Sequence, residues 1–205
     1  MGVSQLQCGA APPLDEEENA RVLLGLVAPS ALQNCCSGKH TGMLATCRHL
    51  GYPVETYLSA DHPLQRQILE LVAEAMQRDP ASIALAADGC SVPTFGASVA
   101  DFARAFAALA APATAPSELI RSHQVTIERL LAVMSRYPDN IAGRGSLDTE
   151  LMRLSNGTIA AKLGAEGLLC MALPEQGVGI AIRMCDGSYR GLNILAVEVL
   201  GQLGL

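Results

Sequence analysis

Tryptophan is absent from this chain of 205 residues, and only seven residues are aromatic, four Tyr and three Phe. Half of the residues are nevertheless hydrophobic, so the core has to be assembled from Ala, Leu, Val and Ile, side chains small enough to let helices approach closely. A chain of this length buries roughly 70% of the surface its unfolded form exposes, which is enough for one core of ordinary size. Basic charge is also scarce: 14 Lys and Arg stand against 20 Asp and Glu, for a net charge of −6. The Arg residues are scattered rather than striped, which leaves no footprint for a nucleic-acid backbone. No stretch reaches the roughly 18 apolar residues of a membrane span, and no basic region followed by an apolar run opens the chain. The chain is expected to be soluble and cytoplasmic, with neither nucleic acid nor membrane as a partner.

Seven cysteines, Cys8, Cys35, Cys36, Cys47, Cys90, Cys170 and Cys185, are an odd number without the spacing of a secreted disulfide scaffold, so free thiols in a reducing compartment are expected. Lysine is the scarcest charged residue. Twelve of the fourteen basic residues are Arg, leaving Lys39 and Lys162. Lys can lose its proton when desolvated whereas Arg cannot, so both lysines are candidates for chemistry.

Acids at 15 to 18 open a helical pattern to about Val27, since negative charge in a first turn complements the helix dipole. Residues 36 to 50 read as a helix closed by Gly51-Tyr52-Pro53, its first turn being Cys-Ser-Gly-Lys. An amphipathic helix follows His62-Pro63, in which Ile68, Leu69, Leu71, Val72 and Ala75 alternate with polar residues, and Pro80 ends it. Ile83 to Ala87 reads as a strand running into the tight loop Asp88-Gly89-Cys90. Helices are expected over 97–109 and, capped by Ser117, from there to Tyr137, with the Ala-Pro linker at 111–116 between them. The last third changes to short apolar segments at 158–162, 168–173 and 178–184 punctuated by glycine, the grammar of hairpins, and then a helix from Ser188 to about Leu203. The layout is α+β, read as one domain over 1–205, mainly helical to 137 and built of strands plus a terminal helix from 138 to 205.

Three clusters could carry chemistry. In Asn34-Cys35-Cys36-Ser37-Gly38-Lys39-His40, Cys36 and Lys39 share a helical face three residues apart. The helix N-terminus and the ammonium both favour a thiolate there, a nucleophile or a soft metal ligand. The bland alternative makes Cys36 a small core residue and Ser37 an N-cap. Asp88-Gly89-Cys90 places an acid and a thiol at the end of a strand, although Asp-Gly is also an ordinary turn. In Lys162-Leu163-Gly164-Ala165-Glu166-Gly167 a lysine, if buried, could act as a general base beside a glycine-rich bend; the alternative is a solvated strand end. No His-Glu-x-x-His, phosphate-binding glycine loop, Gly-x-Ser-x-Gly or Cys-x-x-Cys is present.

These clusters, together with Gly42-Met43-Leu44, His62-Pro63 with Gln65, Pro93, Ala142-Gly143, Asp148-Thr149 with Leu151-Met152, and Asp186-Gly187 with Arg190, resemble the rhizobial-type asparaginases from about Cys8 to the last residue. The resemblance implies a fold like that of serine β-lactamases and glutaminases, here incomplete, and hydrolysis of the small molecule L-asparagine to L-aspartate and ammonia. It also implies a zinc ion held by Cys36, Lys39 and Cys90, with Asp88 beside it and Ser37, His40 and Glu166 near the substrate. Lys162 matches the family lysine that pairs with a catalytic serine. A homodimer is left open.

The departures carry expectations of their own. The family's nucleophilic serine and its Ser-x-x-Lys partner precede the segment that matches Cys8, and no Ser-x-x-Lys occurs in these 205 residues; Ser37-Gly38-Lys39 has the wrong spacing. Gln33 and Cys35 replace the usual His and Asn, and Gly145-Ser146 alters the approach to Asp148. The chain is therefore expected to be a fragment of a longer product or an inactive relative, with a non-catalytic zinc-binding or oligomerising module as the alternative. A redox-sensing thiol at Cys36 is a weaker third reading.

Overall fold

The computed structural model describes residues 2–205 and shows an α+β fold in two compact units. One unit runs to Leu71 and takes in Pro80–Gly96, while the other comprises Val72–Asp79 and Ala97–Leu205.

In the first unit, α1 (Glu16–Leu23) is started by Asp15, whose carboxylate accepts from the amides of Glu17 and Glu18, a side-chain cap of the usual acidic kind. It stops short of the expected Val27 because Gly25 takes a left-handed conformation. Helix α2 (Ser37–Leu50) has Arg48 and His49 in its last turn, where cations suit the dipole, and ends on Gly51 at φ +71°, a position that favours glycine. Its inward face is His40, Leu44 and Cys47, spaced one and two turns apart. Leu44 and Cys47 pack with Tyr57 and Leu64, and a smaller cluster gathers Cys8, Cys90 and Val92. Strands β1 (Ala84–Ala87) and β2 (Pro93–Gly96) form an antiparallel hairpin with Ala87 opposite Pro93, so residues 88–92 are held as its connecting loop.

Helix α3 (Pro63–Met76) begins with proline, which needs no amide partner at that place, and the division between units falls inside it. Its fully buried apolar residues are Leu64, Ala73 and Met76; Leu71, read as part of the apolar face, is exposed.

The second unit is built on a three-stranded antiparallel sheet in the order β3 (Ala160–Gly164), β4 (Leu168–Leu173), β5 (Val178–Arg183). Leu169, Met171 and Leu173 of the central strand face one way, where they pack with Met152 and with Leu192, Ala196 and Leu200 of the last helix. Ala160 and Ala172 face the other way, into a cluster with Ala108, Ile120, Ile127 and Leu131. Helix α4 (Val99–Ala110) lies against β4 and β5, close enough that a Cβ on Gly179 would fall 2.0 Å from the amide nitrogen of Ala107. A reciprocal box between Ser98 and Asp101 starts α4.

The remaining helices are α5 (Glu118–Ser122), α6 (Gln124–Arg136), α7 (Asp139–Ala142), α8 (Leu147–Leu154) and α9 (Leu192–Gln202). Ser117 caps α5 as expected, accepting from the amide of Ile120, but the single helix expected from there to Tyr137 breaks at His123. The break follows from Ser122 and His123, whose side chains both bind the carbonyl of Leu119 and stop the first segment. Residues 186–190 form side-chain turns, in which Asp186 accepts from the Ser188 amide and the Ser188 hydroxyl from the Arg190 amide, so α9 starts at Leu192 rather than at Ser188. Among the described residues no helix is long and apolar enough to cross a membrane.

Candidate functional site

The start of α2 is set by Asn34. Its side-chain oxygen accepts from the Cys36 amide at 2.8 Å, while its nitrogen donates to the carbonyls of Cys8 at 2.8 Å and Gly9 at 3.2 Å. One buried amide thus ties the chain near Cys8 to the Cys35-Cys36 pair. Cys36 occupies the N-cap without a side-chain cap bond, and Ser37 is the first helical residue, not the cap. One turn on, Lys39 reaches the hairpin, where Nζ donates to Asp88 Oδ2 at 3.0 Å.

The 88–92 loop is rigid by its own bonds: the Asp88 amide donates to the Val92 carbonyl and the Ser91 amide to the Asp88 carbonyl, both at 2.8 Å. Asp88 also accepts from the Gly89 amide at 2.9 Å and from the Cys90 thiol at 3.2 Å. The result is a compact donor group in which Cys36 Sγ, a carboxylate oxygen of Asp88 and Cys90 Sγ all lie within 4.8 Å of one another. This is the one group of three such side chains placed to hold a metal ion among the described residues.

Electrostatics in this group differ from the expectation of a free thiolate. Burial pushes the Cys36 thiol up and outweighs the pull of Lys39, and burial likewise raises Cys90. Burial works against the Lys39 ammonium, but the hydrogen bond to Asp88 reverses the balance and its pKa ends above the usual value. Asp88 is raised by burial and lowered more by its bonds from Lys39 and Cys90, ending below the usual carboxylate range. The group thus places two thiols, both raised by burial, beside a Lys–Asp ion pair. At Cys36 desolvation exceeds the pull of the neighbouring ammonium.

Beside Lys39, His40 is fully buried. Its Nδ1 shares a 2.6 Å hydrogen bond with the Tyr57 hydroxyl, which also accepts from the Gln7 amide at 2.9 Å. Burial and then the charge of Lys39 lower the His40 pKa, so the ring is neutral at pH 7. Gln65 donates to the Tyr57 carbonyl at 2.7 Å. His40 thus belongs to a buried support behind the α2 start rather than to an open cleft.

In the second unit Lys162 is not buried. It stands opposite Cys170 in the β3–β4 register with its side chain 49% exposed, and Nζ donates to the Leu163 carbonyl at 2.7 Å. Burial along β3 falls from Ala160 and Ala161, both buried, to the exposed Lys162. Its ionic partner, at 3.6 Å, is the fully buried Asp148 of α8. Asp148 in turn accepts from the Ser146 hydroxyl at 2.7 Å, from the Thr149 amide at 3.1 Å and from the Leu163 amide at 2.9 Å. Glu166 sits at the β3–β4 turn with φ +55° and pairs with Arg183 at 3.2 Å.

A sequence profile of the L-asparaginase II family matches residues 1–205. The chain belongs to this family. No curated protein matches it. At the level of the family, this L-asparaginase II relative is an asparaginase-type amidohydrolase, acting on a small molecule.

Within that family frame, reasoning from motifs missed three supporting residues, Asn34, Tyr57 and Asp148. Asn34 was visible as the first letter of the Asn-Cys-Cys-Ser-Gly-Lys-His run, and Asp148 as part of Asp-Thr. Tyr57 carried no local signal. The arrangement separates two chemistries by residue type. Thiols and a carboxylate beside an ammonium suit a cation, since soft sulfur with one hard oxygen is a zinc-type donor set. A half-exposed lysine on a buried carboxylate suits proton transfer or binding of an anionic group.

Proposed function

We propose that the chain carries part of an L-asparagine amidohydrolase, whose products are L-aspartate and ammonia, and that the Cys36–Asp88–Cys90 group with Lys39 is its zinc site. The observation that carries the reading is the convergence of α2 and the 88–92 loop on one donor group within a chain that the family profile matches throughout. Zinc there would be held by Cys36 and Cys90, with Asp88 as the oxygen donor and Lys39 against Asp88. When bound, it would supply a fixed positive charge that can orient a carbonyl or carboxylate of the substrate.

Lys162 is the base in this reading. Asp148 holds its amine beside the Leu163 carbonyl, and its exposure leaves Nζ accessible to a serine hydroxyl or to substrate. The Ser146 hydroxyl already donates to Asp148, so it is no free nucleophile. Covalent amide hydrolysis needs an activated nucleophile, and no Ser-x-x-Lys pair occurs in these residues. The isolated chain should therefore give no measurable ammonia from asparagine. Ammonia release at an enzymatic rate, abolished by Lys162→Ala, would overturn this.

A second reading, a zinc-binding module without catalysis, is favoured by the same missing serine pair. Metal analysis and thermal shift separate the two. Both readings require stoichiometric zinc that is lost on Cys36→Ser or Cys90→Ser, and only the amidohydrolase reading expects asparagine to raise the melting temperature.

A further inference from the structure

A cavity of about 620 Å³ opens in the second unit, where the end of α6, the start of α7 and the last turn of α8 meet. Hydrogen bonds within the chain fix its walls: the Thr149 hydroxyl donates to the Pro138 carbonyl at 3.2 Å, the Ser135 hydroxyl donates to the Ile159 carbonyl at 3.5 Å, and Arg153 bridges Glu150 and Asp139. The buried Met152 lines it with apolar surface. Its volume is that of a small-molecule site, for which about 300–1,000 Å³ is usual. Neither Lys162 nor any member of the Cys36–Asp88–Cys90 group lines it.

Three polar side chains of the lining carry hydrogen-bonding capacity that no other described residue takes up. Arg136 makes no ion pair, and its guanidinium carbon lies 5.4 Å from the centre of the exposed Tyr137 ring, a contact that leaves the N–H fork unused. Asp139 gives Oδ1 to Arg153, while its Oδ2 accepts nothing. Asn156, held at φ +50° in the turn after α8, has no bond on its side-chain amide. Arg153 differs from Arg136, because two carboxylates already neutralise it.

The kinds of group left open define a ligand. A guanidinium fork takes a carboxylate through two parallel bonds, a free carboxylate oxygen takes an ammonium, and an amide can both donate and accept. A phosphate dianion would suit Arg136 but would face the charge of Asp139, whereas a zwitterion meets both signs. We infer that this cavity binds a small zwitterionic amino acid, with its carboxylate on Arg136, its ammonium on Asp139 and a polar side chain on Asn156. The inference depends on neither the proposed zinc site nor the proposed role of Lys162.

The test is calorimetric titration of the full chain with L-aspartate, with succinate, which lacks the ammonium, and with inorganic phosphate. One L-aspartate per chain is expected, and no phosphate at the same concentration. Arg136→Gln and Asp139→Asn, both at exposed positions, should each weaken it about 10- to 100-fold, the effect of one hydrogen bond to a charged group. Succinate should bind the unaltered chain more weakly than L-aspartate by a similar factor. Equal affinity in Arg136→Gln and the unaltered chain, or no heat from L-aspartate at all, would overturn the inference. L-aspartate that is lost in Lys162→Ala but kept in Arg136→Gln would place the amino acid at the proposed reaction site instead of the cavity. Phosphate bound as tightly as L-aspartate, and more tightly still in Asp139→Asn, would make the cavity an anion site and remove the amino acid.

Discussion

The Lys39 ammonium lies 3.0 Å from Asp88 Oδ2 and is the ionic link between helix α2 and the loop that carries Cys90. Both side chains are more than one third exposed, so the pair contributes little to stability, about 1 kcal/mol at most. Its influence falls on charge at the donor group.

Lys39→Met should therefore leave the denaturant midpoint nearly unchanged while weakening zinc binding by about 10- to 100-fold, the usual effect of losing a partner that orients a ligand. Lys39→Arg keeps a cation against Asp88 and should keep zinc stoichiometry. Zinc lost equally from both variants, measured by competition with a chromophoric chelator, would mean that the amine itself is a ligand.

The Tyr57 hydroxyl holds two partners at once, the amide of the exposed Gln7 and Nδ1 of the buried His40. Tyr57→Phe strands both, and an unsatisfied buried polar group costs about 1–3 kcal/mol, so a loss in that range is expected in urea unfolding. Tyr52→Phe is the control. That hydroxyl accepts only from the exposed Gln67 side chain at 2.8 Å, and its loss should be within about 0.5 kcal/mol.

How much of this was legible in the sequence depends on how local the cause was. Helix α2 was, because its closing Gly51-Tyr52-Pro53 acts within the segment, and β4 runs over the expected residues 168–173. The hairpin partner β2 was not: four residues starting with proline have no pattern of their own, and β1 alone makes them a strand. In the candidate site, the Cys36–Lys39 spacing is local and readable. The meeting of Lys39 with Asp88 spans 49 residues and appears only when the hairpin closes. The upward shift of the Cys36 thiol turned on burial, which no spacing encodes. The carboxylate under Lys162 lies 14 residues upstream on α8, a helix too short for its periodicity to have been read.

Asp101 governs how the second unit meets acid. It is buried and accepts from the Ser98 hydroxyl at 2.7 Å and the Ser98 amide at 3.0 Å, with Arg104 and Arg78 beside it. The Ser98 hydrogen bonds lead in pulling its carboxyl down to about 2, against about 3.9 for an unfolded Asp. A depressed folded-state pKa gives stability that is fully present above the unfolded value and is lost as pH falls through the folded one. The urea midpoint should thus fall between about pH 4 and pH 2, and Asp101→Asn should lower it at neutral pH and flatten that slope. Ser98→Ala, which removes the cap, should cost about 1 kcal/mol.

Gly179 is the most constrained contact in the sheet. On β5, a Cβ there would stand 2.0 Å from the Ala107 nitrogen and 2.2 Å from the Ala103 carbonyl oxygen, both backbone atoms of α4 that cannot rotate away. Gly179→Ala has to push α4 off the sheet, and overpacking of this kind costs about 1–3 kcal/mol or more. Gly42, inside α2 with nothing within 4 Å of its would-be Cβ, tests the opposite sign: Gly42→Ala should stabilise by about 0.5–1 kcal/mol through helix propensity alone. Unfolding curves for the two variants should shift in opposite directions. If Gly179→Ala were neutral, the close packing of α4 on β5 would be wrong, because no side-chain rearrangement can relieve a backbone clash.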